Sequence, residues 1–287
     1  MVFDEPLPPD GKGRPTSAHE ILGRHLRALR ESRGLTLSDV ARHIRASTSK
    51  VTRIELGRVG AKEGDLDGLL ALYDPGAEAR LALLELNRHL NDPRWWNAYG
   101  IDLPDWYCSY LVLESVAKVI MTYEVRFVPG LLQTRSYAEA VMRSAYPDEE
   151  RVQRLVDVRM RRQAELLKRG SPRLVAIVEH GALIDGLADR EIMREQIEFL
   201  VEATARPHVT IQVIMPHAGG HVFRSNSFSL LQLKMSEVVY LEQLDRAFFL
   251  DERRDAGPYL RAMGEMMIVA GKPADARETL KKMLEER

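Results

Sequence analysis

The 287-residue sequence predicts a mainly α N-terminal bundle plus a larger α+β C-terminal domain with a mostly antiparallel sheet. Three observations carry this. From residue 18 to 74, apolar residues recur at helical spacing in short segments that begin with capping residues. Beyond residue 170 the period becomes two, or short apolar runs appear, at 174–178, 209–215, 228–233 and 238–242. Helical patterns lie between and after those runs, at 190–205, 254–270 and 274–286, without a steady strand-helix-strand rhythm. The length allows one or two domains with a sizeable core.

The N-terminal segment reads element by element. Ser17-Ala18-His19-Glu20 has the form of a capping box, so a helix begins near residue 18 and carries Ile21, Leu22, Leu26 and Leu29 on one face. Gly34 ends it behind Arg33. Thr36-Leu37-Ser38-Asp39 starts a second helix whose buried stripe is Val40, Ala41 and Ile44. Ser47 starts a third, from Thr48 to about Leu56, which buries Val51 and Ile54 and stops at Gly57. A fourth, about Asp65 to Tyr73, adds Leu66, Leu69, Leu70 and Leu72. Two short helices joined by a turn of three or four residues form a helix-turn-helix.

Charge and side-chain chemistry point this module at a polyanion. Residues 21–60 hold nine bases and three acids, net +6, while the remainder of the chain sums to −7. Concentrated positive charge favours a phosphate backbone through counterion release. The third helix leaves Thr48, Ser49, Lys50, Thr52 and Arg53 off its buried face, types that donate to phosphates and base edges. With Arg58, Thr36 and Arg27 they make the expected DNA-binding set. Glu55 is expected to pair with Arg30, and Arg24 to be a phosphate contact or an ordinary solvated charge. The Pro/Gly-rich residues 1–17 read as a flexible arm; Lys12 and Arg14 offer minor-groove reach, against the plainer reading of a tail.

The stretch LRALRESRGLTLSDVARHIRASTSKVTRIELGR (26–58) resembles the XRE or phage-repressor type of helix-turn-helix domain. The resemblance implies that Thr48, Ser49, Lys50 and Arg53 enter the major groove of double-stranded DNA. Arg45 stands where that family usually has glycine in the turn, which predicts a left-handed arginine at a cost of roughly 1 kcal/mol.

Residues 75–94 read as a connecting helix (GAEARLALLELNRHL) stopped by Asp92-Pro93, and 95–287 as a regulatory and dimerisation domain. Trp95 and Trp96 are expected to cap a core or fill an interface. Residues 110–120 have helical spacing with Glu114 in the middle, 121–128 suit a strand turned by Pro129-Gly130, and Ser136-x-x-Glu139 suits a capping box. The basic run 151–169 is expected to be a helix with a solvated face. Second comes a contact for an acidic partner or anionic ligand through Arg159, Arg162 and Gln163, and third an extra phosphate contact. Glu179 and His180, just past a strand, suit either a pocket or a strand-end hydrogen bond. His217-Ala-Gly-Gly-His221 has metal-like spacing but reads as a loop, so no metal and no cofactor is expected.

The motifs PGLLQTRSYA (129–138), YLVLESVAKVIMTYE (110–124), VRMRRQ (158–163) and VTIQVIMP (209–216) resemble the C-terminal domain of actinobacterial XRE regulators of the WhiJ-like group. That resemblance implies an antitoxin-like regulator with a small acidic partner protein encoded nearby; it brings no ligand. Lone Cys108 argues against a disulfide framework, and no leader or membrane span is legible, so a cytoplasmic, nucleoid-associated protein is expected. Phosphate-loop, dinucleotide, zincin and nucleophile-elbow motifs are missing, so no enzyme is expected. The reading that results is a DNA-binding transcriptional regulator, a homodimer on a pseudo-palindromic operator with half-sites about 34 Å apart. The alternatives are an antitoxin-like sequestering protein and an enzyme fused to a DNA-binding module.

Overall fold

Short helices, the second and third of them with side-chain N-caps, build the N-terminal third. The computed structural model describes residues 17–92, 95–166, 168, 172–184, 189–216, 226–243 and 246–286. The bundle comprises α1 (Ser17–Ser32), α2 (Leu37–His43), α3 (Thr48–Glu55) and α4 (Glu63–Tyr73), and α5 (Ala77–Asn91) leads out of it. The Thr36 hydroxyl accepts from the Asp39 amide while Asp39 accepts from the Thr36 amide, satisfying two donors that the helix start would otherwise orphan. Ser47 accepts from the Lys50 amide and caps α3. α1 already includes Ser17, so its cap lies outside the described residues.

Between α2 and α3 the chain turns through Arg45 at φ 52°, the left-handed arginine anticipated from the sequence. Ala46 N–H reaches back to the Ala41 carbonyl at 2.8 Å and closes that turn. Ile21, Leu22, Leu26, Val40, Val51, Ile54, Leu66, Leu69 and Leu70 are buried, and Leu72 only partly so. Gly23 is required by close approach: a Cβ there would fall 2.5 Å from the Glu55 carbonyl oxygen. α1 therefore lies backbone-close on the end of α3. Arg30 clamps the same junction, donating to both Glu55 oxygens at 2.6 and 2.9 Å and to the Leu35 carbonyl at 3.0 Å.

The C-terminal domain comprises α6 (Asp105–Val116), β1 (Val119–Glu124), α7 (Arg135–Arg143), α8 (Glu149–Leu166), β2 (Arg173–Glu179), α9 (Arg190–Ala203), β3 (Val209–Ile214), β4 (Phe228–Gln232), β5 (Glu237–Glu242), β6 (Ala247–Leu250), α10 (Arg253–Val269) and α11 (Pro273–Glu285). Its six-stranded sheet runs β3-β2-β1-β4-β5-β6. The three pairings among β1, β4, β5 and β6 are antiparallel, and β1-β2 and β2-β3 are parallel. The expected mostly antiparallel α+β domain is found, with a parallel half where helices separate successive strands. The predicted helix 110–120 ends at Val116, because Val119 and Ile120 already belong to β1. Thr134, not Ser136, caps α7, its hydroxyl accepting from the Tyr137 amide. β6 carries no clean alternation and was not anticipated.

Both sheet faces are covered. Ile120, Leu174, Ala176, Val178, Leu231 and Val238 join the core that also holds the apolar residues of α6, α8, α9 and α11. Tyr123, Ile177, Phe228, Leu230 and Val239 pack with Ala262, Met263 and Met266 of α10. The larger core extends without a break into α1 and α4, so bundle and domain share it. Trp96 is 4% exposed in this core, with Trp95 edge-on at 5.5 Å.

Candidate nucleic-acid interface

α3 presents the polar row that the sequence singled out. Thr48, Ser49 and Arg53 are exposed and Thr52 is half-buried, while Val51, Ile54 and Glu55 turn inward. Thr48 and Thr52, like Ser49 and Arg53, stand four residues apart, and Ser49 and Thr52 three, so these side chains adjoin along one side of the helix. The only acid of α3, Glu55, is neutralised inside by Arg30. The outward surface of the helix is thus free of negative charge. The Thr52 hydroxyl donates to the Thr48 carbonyl at 2.9 Å, leaving its oxygen able to accept.

The remaining expected contacts divide. Arg58 is exposed, and neither it nor Arg53 forms an ion pair among the described residues. Arg27 is exposed but holds Glu31 one turn on, at 2.8 Å. Thr36 uses its hydroxyl in the α2 cap, donating to Asp39 at 2.6 Å. Lys50 is half-buried and paired with Asp65 of α4 at 2.7 Å, a partner that local pattern did not reveal. Arg24 points away from this patch and forms a two-pronged pair with Asp251 beyond β6, at 2.9 and 2.8 Å. Beside it, the His25 ring nitrogen meets Ser236 at 3.1 Å, and burial lowers the proton affinity of His25. Lys234 reaches Glu85 of α5 at 2.7 Å. The α2–α3 pair is therefore mounted on the C-terminal domain through α1 and α5. Arg45, exposed in the turn ahead of α3, joins the basic surface; its basic side chain at an exposed turn was the signal.

A helix-turn-helix domain family matches residues 21–83, which encloses the whole of this surface. The module is a helix-turn-helix of the DNA-binding kind. A second family, a domain of unknown function (DUF5753), matches residues 107–282, more than half of the chain. The chain belongs to the DUF5753 family. No curated protein and no solved structure matches it significantly.

Within the DUF5753 domain, the residues expected to meet a ligand or partner have distinct environments. Arg162 is 8% exposed and donates to both Glu114 oxygens at 2.9 and 2.7 Å and to the Tyr107 hydroxyl at 2.6 Å. Its guanidinium also lies 5.6 and 5.3 Å from the Tyr107 and Tyr110 ring centres. Burial works against its charge, and the Glu114 carboxylate more than offsets that. Gln163 is buried, its amide donating to the Leu131 and Gln133 carbonyls. Both are committed to internal bonds, because the face of α8 that carries them packs on α6 and the 129–134 turn rather than facing water. Glu179 accepts from the Tyr123 hydroxyl at 2.8 Å, the strand-end hydrogen bond considered from the sequence.

The exposed face of α8 and its flanks carries the ladder expected of a solvated helix: Arg154 with Glu150, Arg161 with Glu165, Arg135 with Asp157. Arg159 differs from all of these and is considered below. His217 and His221 lie outside the described residues, as do Lys12 and Arg14. Among the described residues, no group of three or more His, Cys, Asp or Glu could hold a metal, and no helix is long and apolar enough to cross a membrane.

Proposed function

We propose that the chain is a sequence-specific transcriptional regulator of the XRE type, acting by binding rather than catalysis. It would occupy a pseudo-palindromic operator as a homodimer, in the cytoplasm and on the nucleoid. The observation that carries the reading is the acid-free outer face of α3, where Thr48, Ser49 and Arg53 stand exposed while Glu55 is held inside by Arg30. A lone module of this size offers too little surface for specific affinity at cellular salt, which supports pairing of two copies. Resemblance of the C-terminal motifs to the WhiJ-like group supports control through that domain, by a small ligand or by a small acidic partner in the antitoxin-like manner.

The test is selection of bound sequences from random duplex DNA by the full chain, followed by Arg53→Ala on the selected site. Arg53→Ala is expected to cost about 1–3 kcal/mol there and little on unselected DNA. Equal loss on both would make Arg53 a phosphate contact, and failure to enrich any motif would overturn sequence-specific binding.

A further inference from the structure

Arg159 is the arginine that the domain takes most trouble to hold without neutralising it. The turn 129–134 wraps it. Gly130 leaves room for the guanidinium, since a Cβ there would lie 3.2 Å from Arg159 Nη1. Gln133 Oε1 accepts from that same nitrogen at 2.5 Å. Three glutamine amides then brace the turn: Gln133 donates to the Val128 carbonyl, Gln163 to those of Leu131 and Gln133, and Gln196 to that of Leu132, while Gln196 also accepts from the Thr134 amide. The PGLLQT motif therefore positions Arg159. No carboxylate pairs with it among the described residues, and its Nε is buried without a hydrogen-bond partner. Arg162, one turn on, has every need met by Glu114 and Tyr107.

Two carboxylates share the space. Tyr123 pairs with Phe228 and Ser229 with Tyr240, so extending each ladder places Glu124, Ser227 and Glu242 abreast, on the sheet face that α8 covers. The two glutamates sit two strands apart, about 10 Å by strand spacing. Glu242 accepts from the Tyr240 hydroxyl at 2.8 Å, and Ser227 accepts from the Val125 amide. Glu124, Arg159 and Glu242 are each only half-buried, keeping some contact with solvent. Yet burial is the leading influence on the proton affinity of all three, raising both carboxyls, Glu124 to about 7, and lowering Arg159. Three charged groups, each within reach of another's charge and each still partly exposed to solvent, make this end of the sheet a polar recess. Beside it Tyr240 stacks on Trp106 and packs at a tilt on Tyr110, an aromatic wall.

We infer that this recess binds a small zwitterion of the amino-acid class, its carboxylate on Arg159 and its ammonium on Glu124 and Glu242. A guanidinium matches a carboxylate with two parallel donors. A phosphate would bring a second negative charge against the glutamates, and a simple amine would leave Arg159 and its Nε unanswered. The inference deepens the proposed function, since it rests on the C-terminal domain being the controlling input, and it names what that input recognises.

The experiment is calorimetric titration of the full chain with each of the twenty free L-amino acids, with propionate, propylamine and inorganic phosphate as single-character controls. At least one amino acid is expected to bind and no control to match it. Arg159→Gln should weaken that binding roughly 10- to 100-fold, as loss of a charged hydrogen-bonding group does, and Glu242→Gln should weaken it less. Should Arg159→Gln not fold, Arg159→Lys and Glu242→Gln decide the matter by the same measurement. No heat from any amino acid, an unchanged Kd in the variants, or phosphate binding in their place would overturn the site. A gel shift on the same preparation separates the two ideas. A chain that binds DNA but no amino acid refutes the recess alone; one that binds an amino acid but no DNA refutes the regulatory reading and leaves the recess standing.

Discussion

The N-terminal bundle holds eight arginines in 57 residues and α8 five in 18, and the structure uses that charge in opposite directions. Around α3 the acids are turned inward or held aside, so Arg53 and Arg58 face solvent as an open basic surface. Along α8 the acids lie on the same helix or on the packed neighbour, so Arg154 and Arg161 have partners within a turn and Arg162 has Glu114. Density of positive charge alone therefore does not mark an anion-binding face. What marks it is where the counter-charges sit once the chain has folded.

The largest effect expected on that comparison comes from Glu114→Ala. It leaves the Arg162 guanidinium, 8% exposed, without its carboxylate, which should cost about 3–5 kcal/mol of stability in urea unfolding. Replacing both partners together, as Glu114→Leu with Arg162→Met, should recover most of the loss, because the desolvation cost leaves with the charges. Arg53→Ala, on the open surface, should stay within about 0.5 kcal/mol of the parent. If Glu114→Ala were as mild as Arg53→Ala, the contrast between inward and outward charge would collapse.

Glu124 sharpens the same contrast through pH. Its folded pKa of about 7 lies above the ordinary 4.5, chiefly because burial disfavours the ionised carboxyl. The folded state thus binds more protons than the unfolded chain between those values. Stability from this group is whole below pH 4.5, falls as pH rises through 7, and is level above that, a loss of up to about 3 kcal/mol. Glu124→Gln should remove most of that fall, gaining on the parent between pH 5 and pH 8 in paired urea titrations. A variant with the parent's slope would mean that the recess solvates Glu124 well. Glu242, raised for the same reason, adds a slope of the same sign.

Much of the bundle was legible because its determinants are local. Thr36 with Asp39, Ser47 ahead of α3, and Arg45 in the turn each act within four residues of themselves. Even Arg30 with Glu55 followed from an acid standing alone in a basic helix. The C-terminal pairings were not legible from spacing. Arg24 finds Asp251, 227 residues away, and Arg162 finds Glu114, 48 residues back, so helical periodicity alone assigns those arginines to water. One signal was present: Glu114 interrupts an apolar helical run, and an acid buried there requires a cation from another element. Followed through, it would have led to the neighbouring helix and to Arg162. The Gln133, Gln163 and Gln196 braces around Arg159 left no comparable trace, because a glutamine bonding to a distant carbonyl has no periodic signature.

The smallest effect concerns Lys50, which stands between the two patterns. It belongs to the outward helix yet is paired, at 2.7 Å, with Asp65 of α4. If Lys50 leaves Asp65 to neutralise a phosphate, that pair opposes binding, and Asp65→Asn should strengthen affinity for random DNA by no more than about 1 kcal/mol, the scale of a partly exposed ion pair. The dependence of log affinity on log salt should steepen by up to about 0.9, one phosphate's worth. Asp65→Asn also removes a negative charge near the DNA, so the variant alone does not isolate Lys50. Repeating it in a Lys50→Ala background does: the gain should vanish there, since no lysine remains to be released. A gain that survives Lys50→Ala would come from the lost acid alone. A loss of affinity instead would show that the Lys50–Asp65 pair holds α3 at the angle that binding needs, making Lys50 part of the inward pattern that governs α8.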